Sequence, residues 1–557
     1  MPPRTRILIV GVDAATFDVI DPLVQAGQLP AFARLMERGA RCVLKSTIPA
    51  TTPCAWTTFA TGVGPGKHGV VDFRYLAPGT YHLVRSDAAH VRSRPLWSLL
   101  DQAGLSVGLY NVPWSDPAAA GRGYVIGGMD AWAAAQRCNP AELAREITRA
   151  LGPEALSHAS GWQTDPGAAA GNLHSEIERD AAVAAFLLKH HPTDVFAAVC
   201  MAIDVAQHLF YAGHIGSQTD GDAPGRILRR LYQSMDRALG QLLDLADENT
   251  TVVVVSDHGA HPSRGTLNLD AVLADLGLLS FREGLPHWSE LFPRRPPLRR
   301  RLLRPIWHPI RNGLRRLFPR PQWRPTRPSR LFSSVDWSRT KVFCWSRKPL
   351  LRVNLQGREP HGIVPPEEFA DLCDEVVEQL RAYQHPHTGQ PMFGLVAKAT
   401  DLYAGPHAGS LVDIVAQVKD SAYATDLHIP HPDAPVVLDE QTYRSMDPNR
   451  RPLAGCHHGD GICILAGPGI PARAERAPAA SIADLAPTLL YLLDQPIPRE
   501  MDGTVMADLL GATTLAARPP RYCDTPLSVE AEPHSPAYRP EEQRRVEQRL
   551  RDLGYME

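Results

Sequence analysis

Five short stretches of this chain are apolar almost throughout: Ile7–Val12, Val107–Val112, Val195–Ile203, Val252–Val255 and Gly461–Ala466. None alternates as a strand wetted on one face would, so each reads as a strand buried on both faces, as in a parallel sheet. Between them, Leu29–Arg38, Ala141–Leu151 and Ile227–Ala246 carry apolar residues at helical spacing. Alternating strands and helices predict an α/β fold, a doubly wound and mostly parallel sheet with helices on both faces. No apolar run reaches the roughly 18 residues that a membrane-spanning helix needs.

Composition changes this picture in one place. With 44% hydrophobic and 21% charged residues among 557, the chain is of ordinary globular make-up, which excludes wholly disordered, collagenous and small disulfide-rich classes. The net charge is −2, yet residues 291–330 hold 13 Arg and 9 Pro with no Asp, Glu or Lys, so the remainder carries −2 − 13 = −15. We therefore divide the chain into a catalytic core (1–280 and 335–515), an Arg/Pro-rich insertion (281–334) acting as cap or surface segment, and a linker with a C-terminal surface helix (516–557). The insertion suits peripheral contact with acidic lipid, or a plain surface excursion. Nine cysteines without any CxxC pair suggest a reduced, cytoplasmic setting. The apolar start could pass for a signal sequence, but Asp13 interrupts it, and it reads better as the first strand.

Polar residues capable of chemistry gather where the predicted strands end, the edge at which open α/β sheets build their sites. Asp13 closes the first strand and Asp204 the third. Asp257-His258-Gly259 closes the fourth, with Gly259 permitting a tight turn. Carboxylate and imidazole together suit zinc or a similar divalent ion. Asp204 and His208 are four apart, so on a helix they share a face. Gly455-Cys456-His457-His458-Gly459-Asp460-Gly461 reads as a loop offering a further imidazole. Around Thr52-Pro53, proline fits the first helical position and makes Thr52 the N-cap, its hydroxyl set among free backbone N–H groups that favour a phosphate or sulfate. Singly, each of these is ordinarily a cap, a turn or an exposed histidine.

Together they resemble the type I phosphodiesterase/nucleotide pyrophosphatase family of the alkaline phosphatase superfamily. The resemblance rests on Ile7-Leu8-Ile9-Val10-Gly11-Val12-Asp13, Thr52-Pro53, Thr61-Gly62, Pro65-Gly66-Lys67-His68-Gly69, Gly357-Arg358-Glu359-Pro360-His361-Gly362, Ser481-Ile482-Ala483-Asp484 and Met501-Asp502-Gly503. It implies an alkaline-phosphatase-like core with a cap, and two divalent metal ions, usually zinc. Carried over by motif, Asp13, Thr52, Asp257 and His258 would surround one ion, and Asp204, His208 and His457 the other. Thr52 is preferred to Thr51 because the family's threonine precedes a Thr-Gly pair by nine residues. His457 is preferred to His458 because Asp460 follows it by three.

The activity implied is hydrolysis of a small anionic phosphorus ester. Thr52 would attack phosphorus to give a phosphothreonine, which water activated at the metals would then open. Neutral imidazoles are required, so activity should fall below about pH 6.5. One departure concerns substrate binding: where nucleotide pyrophosphatases carry an asparagine shortly after His-Gly, this chain has Phe73. Lys67 or Arg74 would have to supply that contact, and no nucleic-acid partner is expected. Sulfatase chemistry is disfavoured because Cys54-Ala55-Trp56-Thr57-Thr58 lacks the Pro and Arg of the CxPxR setting. The alternative from another class is a non-catalytic scaffold of the same fold, docked on anionic lipid or nucleic acid by its arginines.

Overall fold

The computed structural model describes residues 6–116, 121–127, 138–157, 166–211, 223–285, 332–425, 429, 431–439, 441–442 and 453–529. The basic stretch 291–330 and the predicted helix from Pro540 onward lie outside these residues.

The buried aliphatic runs become the centre of a nine-stranded sheet. Its order is Ala477–Ser481, Ala40–Lys45, Asp460–Ala466, Thr251–Val255, Ile7–Val12, Val195–Cys200, Val107–Tyr110, Tyr124–Ile126, Cys138–Asn139. Ile7–Val12 is flanked by parallel partners on both sides, Ile9 opposite Ala197 and Val253. Every residue of these three strands is buried, and each large aliphatic side chain so buried contributes about 1.5–3 kcal/mol. Val10 lines a small cavity together with Met235 and Ala238 of the Ala223–Leu243 helix. Its neighbour Gly11 faces Trp56 instead, where an added Cβ would lie 2.6 Å from the indole. Alternate residues thus meet different helical layers. Pro30–Arg38, Pro166–His190, Ala202–Phe210 and Ala223–Leu243 form one, while Thr52–Thr61, Leu96–Gln102 and Leu485–Leu492 form the other.

Two details differ from expectation. The sheet is mostly parallel as expected, but Asp460–Ala466 runs antiparallel to both neighbours; a uniformly apolar run reports burial on both faces but not direction. Val195–Cys200 ends earlier than predicted, and Ala202–Phe210 begins at once. Asp204 therefore sits in the first turn of a helix rather than at a strand end.

Within the range assigned to the core lies a second apolar unit. Val342–Cys344, Leu350–Val353, Ile414–Val418 and Phe393–Lys398 form an antiparallel four-stranded sheet covered by the Phe369–Ala382 helix, with its own buried cluster. It touches the main body where the Tyr403 hydroxyl donates to the Ile48 carbonyl (2.7 Å) and where Ser346 meets Asp72.

Candidate metal centre and substrate cleft

The seven metal-site candidates arrive on five backbone supports, Asp204 and His208 sharing one helix and Asp257 and His258 one turn. Asp13 follows the first strand, where Ala14 turns through a positive φ of 59°. Asp257 follows Thr251–Val255 and accepts the Ala14 N–H on Oδ1 at 3.3 Å, so the two carboxylate-bearing turns are tied together. Gly259 does not make the expected tight turn. It opens the strand Gly259–Pro262, and its missing side chain leaves room for the Asp460 carbonyl, which a Cβ would approach to 2.1 Å. His457 is not in a loop either: Gly455–His458 pairs antiparallel with Gly259–Pro262, His457 opposite Ala260. That ribbon carries His457 back beside His258, their rings stacked at 3.8 Å.

The helix at Thr52 also differs by one step from its predicted start. Thr51 holds the extended capping position (φ −128°, ψ 142°), and Thr52 is the first helical residue. Proline lacks an N–H, so it is tolerated throughout a first turn whose N–H groups have no helical partner; it marks the turn rather than the cap. Thr51 donates its hydroxyl to the Val71 carbonyl at 3.0 Å. The Thr52 hydroxyl is buried and has no hydrogen-bond partner.

The side chains converge into two overlapping groups: Asp13, Asp204 and His258, and Asp204, His208 and His457, the ligand atoms of each lying within 4.8 Å of one another. His258 Nε2 is 3.3 Å from Asp257 Oδ2 and 3.7 Å from Asp13 Oδ1. Asp204 Oδ1 is 3.4 Å from Nε2 of both His208 and His457. Asp204, which the family pattern gives to one ion, thus stands between the two groups.

Whether these residues suit cations can be judged from their unsatisfied atoms. Asp13 Oδ1, Thr52 Oγ1, Asp257 Oδ2 and His258 Nε2 are all buried without a hydrogen-bond partner, an arrangement that is costly unless something fills it. The imidazoles are oriented by the backbone. Nδ1 of His258, His208 and His457 lies 3.0, 2.9 and 2.9 Å from the carbonyls of Gly259, Gly455 and Ala50. A carbonyl can only accept, so each Nδ1 carries the proton and each Nε2 offers a lone pair. His208 Nε2 and His457 Nε2 face each other at 3.0 Å with no proton to share. Such an assembly fits divalent ions.

Electrostatics agree. Burial, then the charges of Asp257 and Asp204, hold the Asp13 carboxyl well above its ordinary range. Burial and Asp204 push Asp257 up to about 8. Burial drives the His258 and His457 imidazoles well below the usual value, assisted by the neighbouring Lys348 ammonium at both. The imidazoles are therefore neutral already, and the groups that must release protons to receive a cation are the carboxyls.

Beside His208 and His457 opens a cleft of about 910 Å³, solvent-filled mouth included. Ile48, Pro49, Phe73 and Val418 give it apolar walls, while Arg347 and Lys348 supply charge. Lys67 does not line it: its ammonium is held by Asp502 Oδ1 (2.5 Å) and the Glu500 carbonyl (2.8 Å), joining two of the family-like motifs. Arg74 begins a small hairpin strand and is likewise not among the lining residues. Arg347 and Lys348 were missed in the sequence, although a dibasic pair in Trp345-Ser346-Arg347-Lys348-Pro349 between two apolar runs was a legible signal.

A nine-stranded α/β sheet that gathers acids and histidines beyond one edge is an alkaline-phosphatase-like fold. More narrowly, the chain belongs to the type I phosphodiesterase/nucleotide pyrophosphatase family, whose model matches residues 7–429. As a member it is a phosphoric ester hydrolase of a family whose members are metal-dependent. No curated protein sequence matches it. Among solved structures it is similar to a variant of the alkaline phosphatase PafA (14% identity, TM-score 0.52, covering 92% of this chain and 100% of that one). It is also similar to phosphonoacetate hydrolase from Sinorhizobium meliloti 1021 in complex with phosphonoformate (16%, 0.50, 88% and 96%). A third is an inactive variant of murine ectonucleotide pyrophosphatase/phosphodiesterase 5 in complex with AMP (12%, 0.47, 88% and 96%). At these identities the likeness concerns the fold.

Proposed function

We propose that this protein cleaves small anionic phosphorus esters in two steps through Thr52, at a site for two divalent cations, with zinc the best match to the ligand set. One observation carries the reading: the Thr52 hydroxyl is fully buried without a partner in the first turn of its helix, and Asp13, Asp257 and His258 likewise each hold a buried polar atom without one. Asp13, Thr52, Asp257 and His258 would hold one cation, and Asp204, His208 and His457 the other. When bound, the cations supply Lewis acidity, lowering the pKa of the Thr52 hydroxyl and offsetting negative charge on the phosphoryl oxygens.

The chain's own groups do the rest. Thr52 Oγ, its proton released to solvent, forms a bond to phosphorus as the ester oxygen leaves toward the cleft with the bonding electrons. Water then bonds to phosphorus as the Thr52 Oγ–P bond breaks, restoring the hydroxyl. The Nδ1–carbonyl bonds of His208, His258 and His457 keep those rings fixed during both steps; with their Nε2 lone pairs given to the cations, none of the three would serve as general base. Acid quenching during turnover followed by mass spectrometry should show a phosphate on Thr52; full turnover by Thr52→Ala would refute the nucleophile.

A further inference from the structure

One short loop reaches both ligand groups. Residues 46–51 join the Ala40–Lys45 strand to the Thr52–Thr61 helix and so lead directly into Thr52. Within the same loop, the Ala50 carbonyl accepts the N–H of His457 Nδ1 at 2.9 Å. The loop is braced from within and from the main body. Thr47 Oγ1 and the Thr51 N–H both donate to the Pro49 carbonyl, at 2.8 and 3.0 Å, and Thr51 Oγ1 donates to the Val71 carbonyl at 3.0 Å. A further hold comes from the second sheet unit, where the Tyr403 hydroxyl donates to the Ile48 carbonyl at 2.7 Å.

Tyr403 is itself firmly placed. It is buried, and burial keeps its phenol well above the ordinary value, so the hydroxyl stays protonated and donates. It follows the short Ala399–Leu402 helix and opens a segment that lies against Pro65–His68, one of the family-like motifs. There the His407 N–H donates to the Gly66 carbonyl at 2.9 Å. A Cβ added to Gly66 would lie 2.4 Å from the Ala404 carbonyl oxygen, so the two backbones meet with no side chain between them. An unbroken series of contacts therefore runs from the second unit through Tyr403, Ile48 and Ala50 to His457. Thr52 is steadied separately, by the bond from Thr51 to Val71.

We propose that Tyr403 is a positioning residue: through the Ile48 carbonyl it holds residues 48–50 so that the Ala50 carbonyl keeps His457 aimed, and the second sheet unit thereby sets how tightly the cation of Asp204, His208 and His457 is held. This deepens the function proposed above and rests on it for the role of His457 as a ligand. The cation of Asp13, Thr52, Asp257 and His258 is spared, because none of those residues is oriented by Ala50. Partners standing directly behind a metal ligand change metal affinity by about 10- to 100-fold. Tyr403 acts further out along the loop, so the lower end of that range applies.

The test titrates zinc into the chelator-treated full chain by calorimetry, with elemental analysis of the product, and needs no turnover. Wild type should take two equivalents. Tyr403→Phe keeps the ring and its packing; it should bind the first equivalent as wild type does and the second about tenfold more weakly. Hydrolysis of bis-p-nitrophenyl phosphate should fall about tenfold at limiting zinc and return close to the wild-type rate at saturating zinc. A tyrosine with a structural role alone would lower the thermal midpoint and leave both zinc affinities, and the zinc dependence of turnover, unaltered. That result overturns the proposal. In a His457→Ala background, adding Tyr403→Phe should change zinc binding no further, because both act through one ligand. An additional loss there overturns the proposal too, as does a wild type that takes a single equivalent. A weakened second equivalent in a protein without Thr52-dependent turnover would sink the threonine mechanism and leave Tyr403 in its role. Unaltered zinc affinities alongside Thr52-dependent turnover would do the reverse.

Discussion

The two halves of the site solve different problems. The deep half, Asp13, Thr52, Asp257 and His258, is completely buried, and each residue ends with an orphaned polar atom. The shallow half pairs buried Asp204 with two imidazoles, His208 and His457, which line the solvent-open cleft. Carboxylates dominate where water is excluded, and imidazoles dominate where substrate arrives. Burying carboxylates together is unfavourable until a cation joins them, so the deep half should govern stability and metal retention. The shallow half should govern substrate access.

The sharpest way to break this contrast is at the hydroxyl. Thr52→Ala should cut kcat by about ten-thousand-fold or more, on the scale seen when a nucleophile is removed, while elemental analysis still finds bound metal. A small loss would mean that the deep half holds cations without doing the chemistry.

The next largest effect is loss of one cation. His208→Ala should lower turnover by about 100- to 1,000-fold and reduce bound metal by one equivalent, with little change in the thermal midpoint of the metal-free chain. Asp257→Asn should behave oppositely in that last respect, since it removes a carboxylate whose charge opposes folding. The metal-free midpoint at pH 8 should rise by about 5 °C. If both variants shift stability alike, the halves are not energetically distinct.

The pH dependence sharpens the same point. Asp257 titrates near 8 in the fold against 3.8 for an ordinary Asp. The folded state thus holds a proton that the unfolded chain has lost, and the metal-free protein loses stability as pH rises from about 4 to 8. A divalent ion displaces that proton, so the loaded protein should not share the loss. The gap between zinc-loaded and chelator-treated midpoints should widen up to about pH 8 and then level off. A gap that is flat from pH 5 to 8 would contradict the buried-carboxylate account.

The smallest expected effect lies one contact out. Trp56 donates its indole N–H to Asp13 Oδ2 at 2.9 Å, so Trp56→Phe should cost about 1–3 kcal/mol in metal-loaded stability and leave turnover within about tenfold. A larger loss of activity than of stability would show that the indole orients Asp13 for chemistry rather than supporting it.

Legibility in the sequence followed locality. Ile7–Val12 and Ala141–Leu151 have the bounds their patterns predict, because burial on both faces and a helical stripe leave unambiguous periodicities. The Asp204/His208 pair was readable from its four-residue spacing, and Asp257-His258 from the strand before it. The direction of Asp460–Ala466, the strand character of Gly455–His458 and the one-residue shift at Thr52 were not. Each depends on a partner far away in the chain: Ala40–Lys45, Gly259–Pro262 and the Val71 carbonyl.

By itself the sequence determined the buried strands, the residue types able to bind a divalent ion and the family to which they belong. These follow from hydrophobic period and from motifs a few residues long. Only the tertiary structure decided that Asp204 lies between the two ligand groups, that Lys67 is spent on Asp502, and that a turn of the second sheet brings Arg347 and Lys348 to the cleft. Charges act through space, and the distances that decide which of them meet are set by packing between segments hundreds of residues apart.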